Sequence, residues 1–392
     1  MKAVVYHDVG DIRVDDVPEP EIQDPTDAIV RLTSSAICGT DLHFVRGTMA
    51  GTKPGRILGH EGVGVVESMG DDVRDLEIGD RVVIPSTIAC GSCSYCRAGY
   101  FAQCDNANPN APTTAFFGGP EEAGGYDGLQ AEKARIPFAN VGLVKLPDEV
   151  SDEQAIAISD ILPTGYFGAD IAEVGHGDVV AVFGCGPVGL SAILSAKLLG
   201  AGRVLAVDRI PDRLDAARRL GAEVVDFSAE DPVETLQRLT GGIGPDRIID
   251  AVGVDATTPE QDEEFAREVG RVAPQANPQD GQWVPGNAPS QALRWAVEAI
   301  AKAGTLSIIG VYPPQLDAFP VGMAMMKNLT VKMGNCNHRR YIPELVELTR
   351  TGAIDPGEIL TNLEGVTDAV SAYEAFDKRQ PGWLKVELEP TA

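Results

Sequence analysis

Four cysteines, Cys90, Cys93, Cys96 and Cys104, fall within fifteen positions in the segment ACGSCSYCRAGYFAQC. Spacing this short, interleaved with Gly, Ser and Tyr, lets one stretch of chain wrap a single tetrahedral ion with four sulfurs, the arrangement of a closed, structural zinc site. The chain holds seven cysteines, an odd number, and their clustering favours metal over disulfides. A zinc ribbon would set two CxxC knuckles further apart in basic surroundings. An iron–sulfur site would be expected with further cluster features, which are absent from the sequence. Cys185 and Cys336 are expected to be ordinary buried residues.

A second constellation lies upstream. CGTDLH at 38–43 and GHEGVG at 59–64 carry Cys38 as a thiolate, His60 as an imidazole and Glu61 as a neighbouring carboxylate. A zinc that keeps a position open for water or substrate needs three protein ligands, and the third candidate is Asp160 in SDILPTGYFGA. The competing reading of Asp160 is a helix N-cap, with Pro163 suited to a helix start. Cys38 alone could be a small core residue and His60 alone a satisfied core histidine, so it is the combination that points to a metal.

The third motif is GCGPVG, Gly184 to Gly189. It follows the apolar run VVAVF and opens a helical pattern. In that setting the first glycine permits the turn, Gly186 lets backbone approach a pyrophosphate, and Gly189 allows close packing, with Pro187 and Val188 starting the helix. The helix N-terminus offers unpaired N–H donors to phosphates. Asp208 ends the next strand, 19 residues beyond Gly189, where a carboxylate accepts from a ribose 2′-hydroxyl and repels a 2′-phosphate. NAD is therefore expected over NADP, although Arg209 and Arg213 follow and would suit a phosphate.

At 392 residues and 44% hydrophobic content the chain is expected to form two domains with ample cores. Its 32 basic and 58 acidic side chains leave a formal charge of −26, which disfavours nucleic-acid partners. The basic set is 10 Lys and 22 Arg. Such a surface fits either a salt-adapted cytoplasm or an ordinary acidic enzyme, because its self-repulsion is relieved by screening ions. No secretory signal opens MKAVVYHDVG and no apolar run is long enough to span a bilayer, so a cytoplasmic protein with reduced thiols and no membrane partner is expected.

Residues 1–150 are rich in short Val/Ile strands broken by Gly, Pro and Asp, which predicts a β-rich core with loops. From about residue 161 the pattern becomes strand, glycine turn, helix: VVAVFG into GPVGLSAILSAKLLGA, then RVLAVD into RLDAARRLGA. EVVDFS, DRIIDAVG and TLSIIGV supply further strands for a doubly wound parallel sheet. The helix IPELVELTRTG and the strand-like WLKVELEP are expected to complete the first domain. A polar stretch from Val254 to Pro289 is too long for an ordinary loop and is expected to be an insertion, as a lid or an oligomer contact.

These motifs, in this order and spacing, resemble the zinc-dependent alcohol dehydrogenases of the medium-chain dehydrogenase/reductase superfamily over essentially the whole chain. SDILPTGY and GCGPVGL resemble the glutathione-independent formaldehyde dehydrogenase branch, in which the third catalytic ligand is Asp; GNCNHRRYIPELVELTRTGAIDP is more like alcohol, polyol or threonine dehydrogenases. The resemblance implies an α/β architecture: a GroES-like β-rich catalytic domain from residues 1–160 and 336–392, and a doubly wound parallel-sheet Rossmann domain from 161–335. It implies two zinc ions per subunit, catalytic on Cys38, His60 and Asp160 and structural on the four clustered cysteines, with NAD as cofactor. Glu61 would be a nearby or transient ligand, Thr40 would touch the substrate oxygen and His43 would relay its proton. Thr164 would lie near the nicotinamide, and Lys385 would contact a cofactor phosphate.

The reaction implied is hydride transfer between NAD and a small alcohol, or hydrated formaldehyde or another aldehyde, in a homodimer or homotetramer. Polyol or L-threonine oxidation is the nearest alternative, and a non-catalytic NAD-binding redox sensor is one from another class. His7 and His176 are expected to be turn residues. His338 is expected to begin a helix or approach the cofactor phosphates, and Trp283 and Trp295 to pack. In the formaldehyde-oxidising relatives a long insertion covers the adenine end, and residues 254–289 could do the same.

Overall fold

Strand Ala28–Ile37 is buried along almost its whole length because it is flanked on both sides, by Gly62–Met69 and by Val386–Glu389, both antiparallel to it. The register with Gly62–Met69 slips between Leu32 and Ser34. Gly64 lies close by, where a Cβ would come within 2.3 Å of the Arg31 carbonyl oxygen, so only glycine fits. This bulged pair carries Cys38 just past the end of one strand and His60 and Glu61 just before the start of the other.

The computed structural model describes residues 1–109, 113–259, 262–279 and 281–390. They divide into two units, one made of Met1–Pro163, Asn277–Trp283 and Cys336–Ala392, the other of Thr164–Ala276 and Val284–Asn335. The first contains a seven-stranded sheet, in which Asn362–Gly365, Val386–Glu389, Ala28–Ile37, Gly62–Met69, Arg81–Ile84 and Val144–Lys145 follow one another and Lys133–Ile136 also pairs with Ala28–Ile37. A smaller sheet joins Asp11–Asp16, Lys2–Asp8 and Arg56–Ile57. WLKVELEP thus pairs its strand Val386–Glu389 with residues near the start of the chain.

The second unit is a six-stranded sheet in the order Glu223–Asp226, Arg203–Asp208, Val179–Phe183, Arg247–Asp250, Thr305–Ile308 and Thr330–Met333, every pair parallel. Its inner strands are continuous apolar runs such as VVAVF, as expected where helices cover both faces. The strand order is that of a doubly wound nucleotide-binding sheet, with the reversal beside Val179–Phe183. The edge strand Thr330–Met333 and the short helix Val321–Met326 before it carry no strong sequence pattern.

The segment 254–289 is not one insertion with one role. It contains helix Glu263–Val272, whose buried Glu268 accepts hydrogen bonds from the Ser290 amide and hydroxyl at 3.1 and 2.9 Å. Asn277–Trp283, by contrast, packs as part of the first unit. There Trp283 is buried with Val4, Tyr6 and Phe376, and its amide donates to Asp377 Oδ2 at 2.8 Å. A lid over the nucleotide does not describe that stretch; residues 260, 261 and 280 lie outside the described residues. Among the described residues no helix is long and apolar enough to cross a membrane.

Candidate metal centres and nucleotide turn

Cys38 is the N-cap of helix Gly39–Arg46, and its amide is held by Asp41 Oδ2 at 2.9 Å. Asp160 stands at the break between helices Asp152–Ser159 and Ile161–Ile171, closing the first as its C-cap and immediately preceding the second, the position sequence offered as the competing role. Its Oδ2 lies 3.6 Å from Cys38 Sγ and 3.5 Å from His60 Nε2. One ligand atom from each of Cys38, His60, Glu61 and Asp160 falls within 4.8 Å of the others.

These separations match the chemistry of a tetrahedral ion. Ligands held at ~2.0–2.3 Å from zinc stand ~3.3–3.8 Å from one another. Cys38, His60 and Asp160 therefore fit zinc, with Glu61 as the nearby carboxylate. The charges agree. Burial pushes the Cys38 thiol up, while Asp41 and Cys38 raise His60 well above its usual range against the effect of burial. Burial would raise Asp160 too, yet hydrogen bonds from His338 and His60 hold it well below the usual carboxylate range. The protons kept by the thiol and imidazole are those a divalent cation displaces on binding.

Lys385 corrects the sequence reading. Its side chain is fully buried, its Nζ donates to the Ile37 carbonyl at 2.9 Å, and it forms a close ion pair with Glu61 Oε2. Its ammonium is committed to these interior partners rather than exposed toward a cofactor phosphate. Burial pushes Glu61 up to about 7 against the pull of Lys385, and Glu61 Oε1 is buried without a hydrogen-bond partner.

His338 was expected to begin a helix or approach the cofactor phosphates, and its contact with Asp160 was not foreseen. It does begin a helix, His338–Arg350, but its ring is not committed to a phosphate: Nε2 meets Asp160 Oδ1 at 2.7 Å and Nδ1 meets Thr87 Oγ1 at 3.1 Å. It lies 178 residues from Asp160, so no local signal could reveal the contact. Asp41 was also passed over, although the capping pattern of CGTD offers a signal: its Oδ1 stands 3.3 Å from His60 Nδ1. Thr40 and His43 share one face of helix Gly39–Arg46, Thr40 half-buried and His43 buried with Nδ1 2.8 Å from Thr48 Oγ1.

In the cysteine lobe the Sγ atoms of Cys93 and Cys104 are 4.0 Å apart, near the ~3.8 Å edge of a zinc tetrathiolate. Backbone amides of Cys90, Cys93, Cys96 and Ala107 donate to the sulfurs at 3.3–3.5 Å. Burial opposes ionisation of Cys90, but hydrogen bonds from Ser92 and Cys93 bring it down to about 6. The lobe fits a closed metal site.

In the second unit Gly184 has φ +87°, the left-handed conformation that favours glycine, and Gly186 is the N-cap of helix Pro187–Leu198 with Pro187 in its first turn. A Cβ on Gly189 would lie 1.8 Å from the Gly184 carbonyl oxygen. Asp208 Oδ2 accepts from the Cys185 amide at 2.7 Å, and Oδ1 accepts from the amides of Arg209 and Ile210 at 2.6 and 3.0 Å. The carboxylate thus braces the loop ends. Arg213 lies beside Gly186, and Arg209 Nε donates to Thr257 Oγ1 at 3.1 Å. Thr164 opens this unit on helix Ile161–Ile171.

Residues 24–148 match the family described as alcohol dehydrogenase GroES-like domain, and residues 187–287 match zinc-binding dehydrogenase. The chain belongs to the zinc-dependent alcohol dehydrogenases of the medium-chain superfamily. A zinc-type alcohol dehydrogenase-like protein of Bacillus subtilis, AdhB, is 40% identical over the full length of both chains. A glutathione-independent formaldehyde dehydrogenase of Pseudomonas aeruginosa is 34% identical, covering 97% of this chain and 96% of its own. Among solved structures, alcohol dehydrogenase TADH from Thermus sp. ATN1 superposes with a TM-score of 0.82 at 36% identity over 99% of each chain. The GroES-like plus Rossmann architecture expected from sequence is the one this alcohol dehydrogenase has.

Proposed function

We propose that this alcohol dehydrogenase transfers hydride between NAD and a small alcohol or hydrated formaldehyde, with one zinc on Cys38, His60 and Asp160 and a second on Cys90, Cys93, Cys96 and Cys104. The convergence of Cys38 Sγ, His60 Nε2 and Asp160 Oδ2 carries the reading. Zinc bound there supplies a Lewis acid that lowers the pKa of a substrate hydroxyl. Thr40 would accept the substrate hydroxyl's proton as it gives up its own, and His43, whose Nδ1 lies 2.8 Å from Thr48 Oγ1, would carry the released proton toward solvent. Asp41 Oδ1 lies 3.3 Å from His60 Nδ1, an electrostatic neighbour on the side of the ring away from the Nε2 that faces Asp160. In the oxidation direction the alcohol loses a hydride to NAD and a proton to solvent, giving the carbonyl compound and NADH.

The formaldehyde reading rests on the Asp ligand and on the name of the Pseudomonas relative. NAD is favoured over NADP because the Asp208 carboxylate, though braced by three amides, would repel a 2′-phosphate. Steady-state assays with both cofactors over short alcohols, formaldehyde, polyols and threonine test this. Turnover with short alcohols or formaldehyde is expected, with kcat/KM at least about tenfold higher for NAD, the size of one ~1.4 kcal/mol charge interaction. Preference for threonine or a polyol would move the substrate assignment, and cofactor binding without turnover on any of them would leave only a sensor.

Self-association is proposed through the open edge of the parallel sheet. Met325, Met326 and Met333 are 77, 83 and 64% exposed on helix Val321–Met326 and edge strand Thr330–Met333. An apolar strip along a strand that, among the described residues, is paired on one edge only suits strand pairing with a second copy. Met325→Glu with Met333→Glu is expected to shift the protein to monomer in light scattering; an unchanged mass would remove this surface from the assembly.

A further inference from the structure

His338 does something no metal ligand does: it divides the two oxygens of Asp160 between separate tasks. Oδ1 takes the hydrogen bond from His338 Nε2 at 2.7 Å, and Oδ2 is the oxygen facing Cys38 Sγ and His60 Nε2. Asp160 sits between two helices, as the C-cap of one and the residue just before the other.

The histidine is itself held. Thr87 Oγ1 lies 3.1 Å from Nδ1, and Thr87 and His338 are both buried. Because Asp160 accepts as a carboxylate, Nε2 carries the hydrogen, and the Thr87 hydroxyl, which can donate or accept, holds the other ring nitrogen. Asn337 Oδ1 accepts from the Ala102 amide at 2.9 Å, and the Ser86 amide donates to the Ser159 carbonyl at 3.2 Å. Thr87 precedes Cys90 by three residues and Ala102 precedes Cys104 by two. The two flanks of the four-cysteine lobe therefore grip the residues that orient Asp160.

We propose that His338 is a positioning residue for the metal-holding carboxylate of Asp160, anchored through Thr87 and Asn337 to the base of the four-cysteine lobe. The inference rests on the proposed zinc site at Cys38, His60 and Asp160. Without His338 the carboxylate loses the hydrogen bond at Oδ1 that helps set its ligand oxygen where the thiolate and imidazole converge. Partners of metal ligands of this kind are worth about 10- to 100-fold in metal affinity.

The test uses the zinc-loaded full-length protein and reads release of each metal to a chelator, together with the ligand-field spectrum after cobalt replaces zinc at the Cys38 site. His338→Ala is expected to release the Cys38-site metal about 10- to 100-fold faster, to shift the cobalt bands, and to leave the lobe metal in place. His338→Gln, whose amide N–H can still reach Oδ1, is expected to recover most of the affinity and the native spectrum. Thr87→Val, which keeps the side-chain shape, is expected to speed release by a smaller factor. Release at the wild-type rate with an unchanged cobalt spectrum in His338→Ala overturns the inference, as does a His338→Gln variant no better than His338→Ala at equal melting temperature. If His338→Ala does not fold, wild-type release from Thr87→Val overturns it instead. A wild-type protein that binds only the lobe metal overturns the parent reading and this inference together. A wild type with two metals, neither loosened by His338→Ala, overturns this inference alone.

Discussion

Asp160→Ala is expected to yield a folded protein that keeps the metal of the cysteine lobe, loses the one at Cys38 and His60, and turns over at least about a thousandfold more slowly. The magnitude follows from the several kcal/mol that metal polarisation of an oxygen contributes to a transition state, at ~1.4 kcal/mol per tenfold in rate. The selectivity follows from position. Asp160 is the group from which both Cys38 Sγ and His60 Nε2 stand about one tetrahedral edge away, at 3.6 and 3.5 Å. Deleting it removes one anionic ligand and leaves a thiolate and an imidazole that hold zinc poorly. The lobe's four sulfurs are contributed by residues 90–104 alone and are not touched. Metal analysis of the purified variant with the NAD-coupled assay checks both parts, and a variant with full metal content and full turnover would remove the catalytic assignment.

The second large effect is in stability. Lys385→Met is expected to destabilise the protein by about 3–5 kcal/mol, the usual consequence of leaving one member of a buried ion pair alone. Both side chains of the Lys385–Glu61 pair are fully buried, and Glu61 already has one oxygen without a hydrogen-bond partner, so the orphaned carboxylate has no water to turn to. Adding Glu61→Gln to Lys385→Met should return much of the loss, because the charge that demanded a partner is gone. Denaturant unfolding of the metal-loaded single and double variants measures this. The KM for NAD should move less than about twofold, since the Lys385 ammonium is fully buried on Glu61 and the Ile37 carbonyl, whereas a stability change below ~1 kcal/mol with a large rise in KM would restore the phosphate role.

The two motifs most legible in sequence are those whose geometry is made by neighbouring residues. ACGSCSYCRAGYFAQC gathers its four sulfurs within one loop, and amides of the same loop donate to them. GCGPVG makes its turn within six residues, and the need for glycine at 184 and 189 is visible as a positive φ and a carbonyl contact inside the motif. The fold class was equally legible, because the change from short broken strands to strand–turn–helix units is itself a local periodicity. Asp160 was found only by the company of Cys38 and His60, and that it also ends a preceding helix was not legible, because two helices meet there without a break in composition.

What sequence alone determined, then, is the set of chemical groups and the local frames that present them: a four-thiolate loop, a glycine turn opening a helix, a thiolate and an imidazole at the ends of paired strands. What only tertiary structure decided is who neutralises and orients those groups. Lys385 lies 324 residues from Glu61, and His338 lies 178 from Asp160. Trp283, from near the end of the polar stretch 254–289, reaches a core built from both termini. The physical reason is that a metal ligand must be supplied with a particular donor atom, which restricts residue type. A buried carboxylate needs only some partner, and packing chooses which distant side chain supplies it.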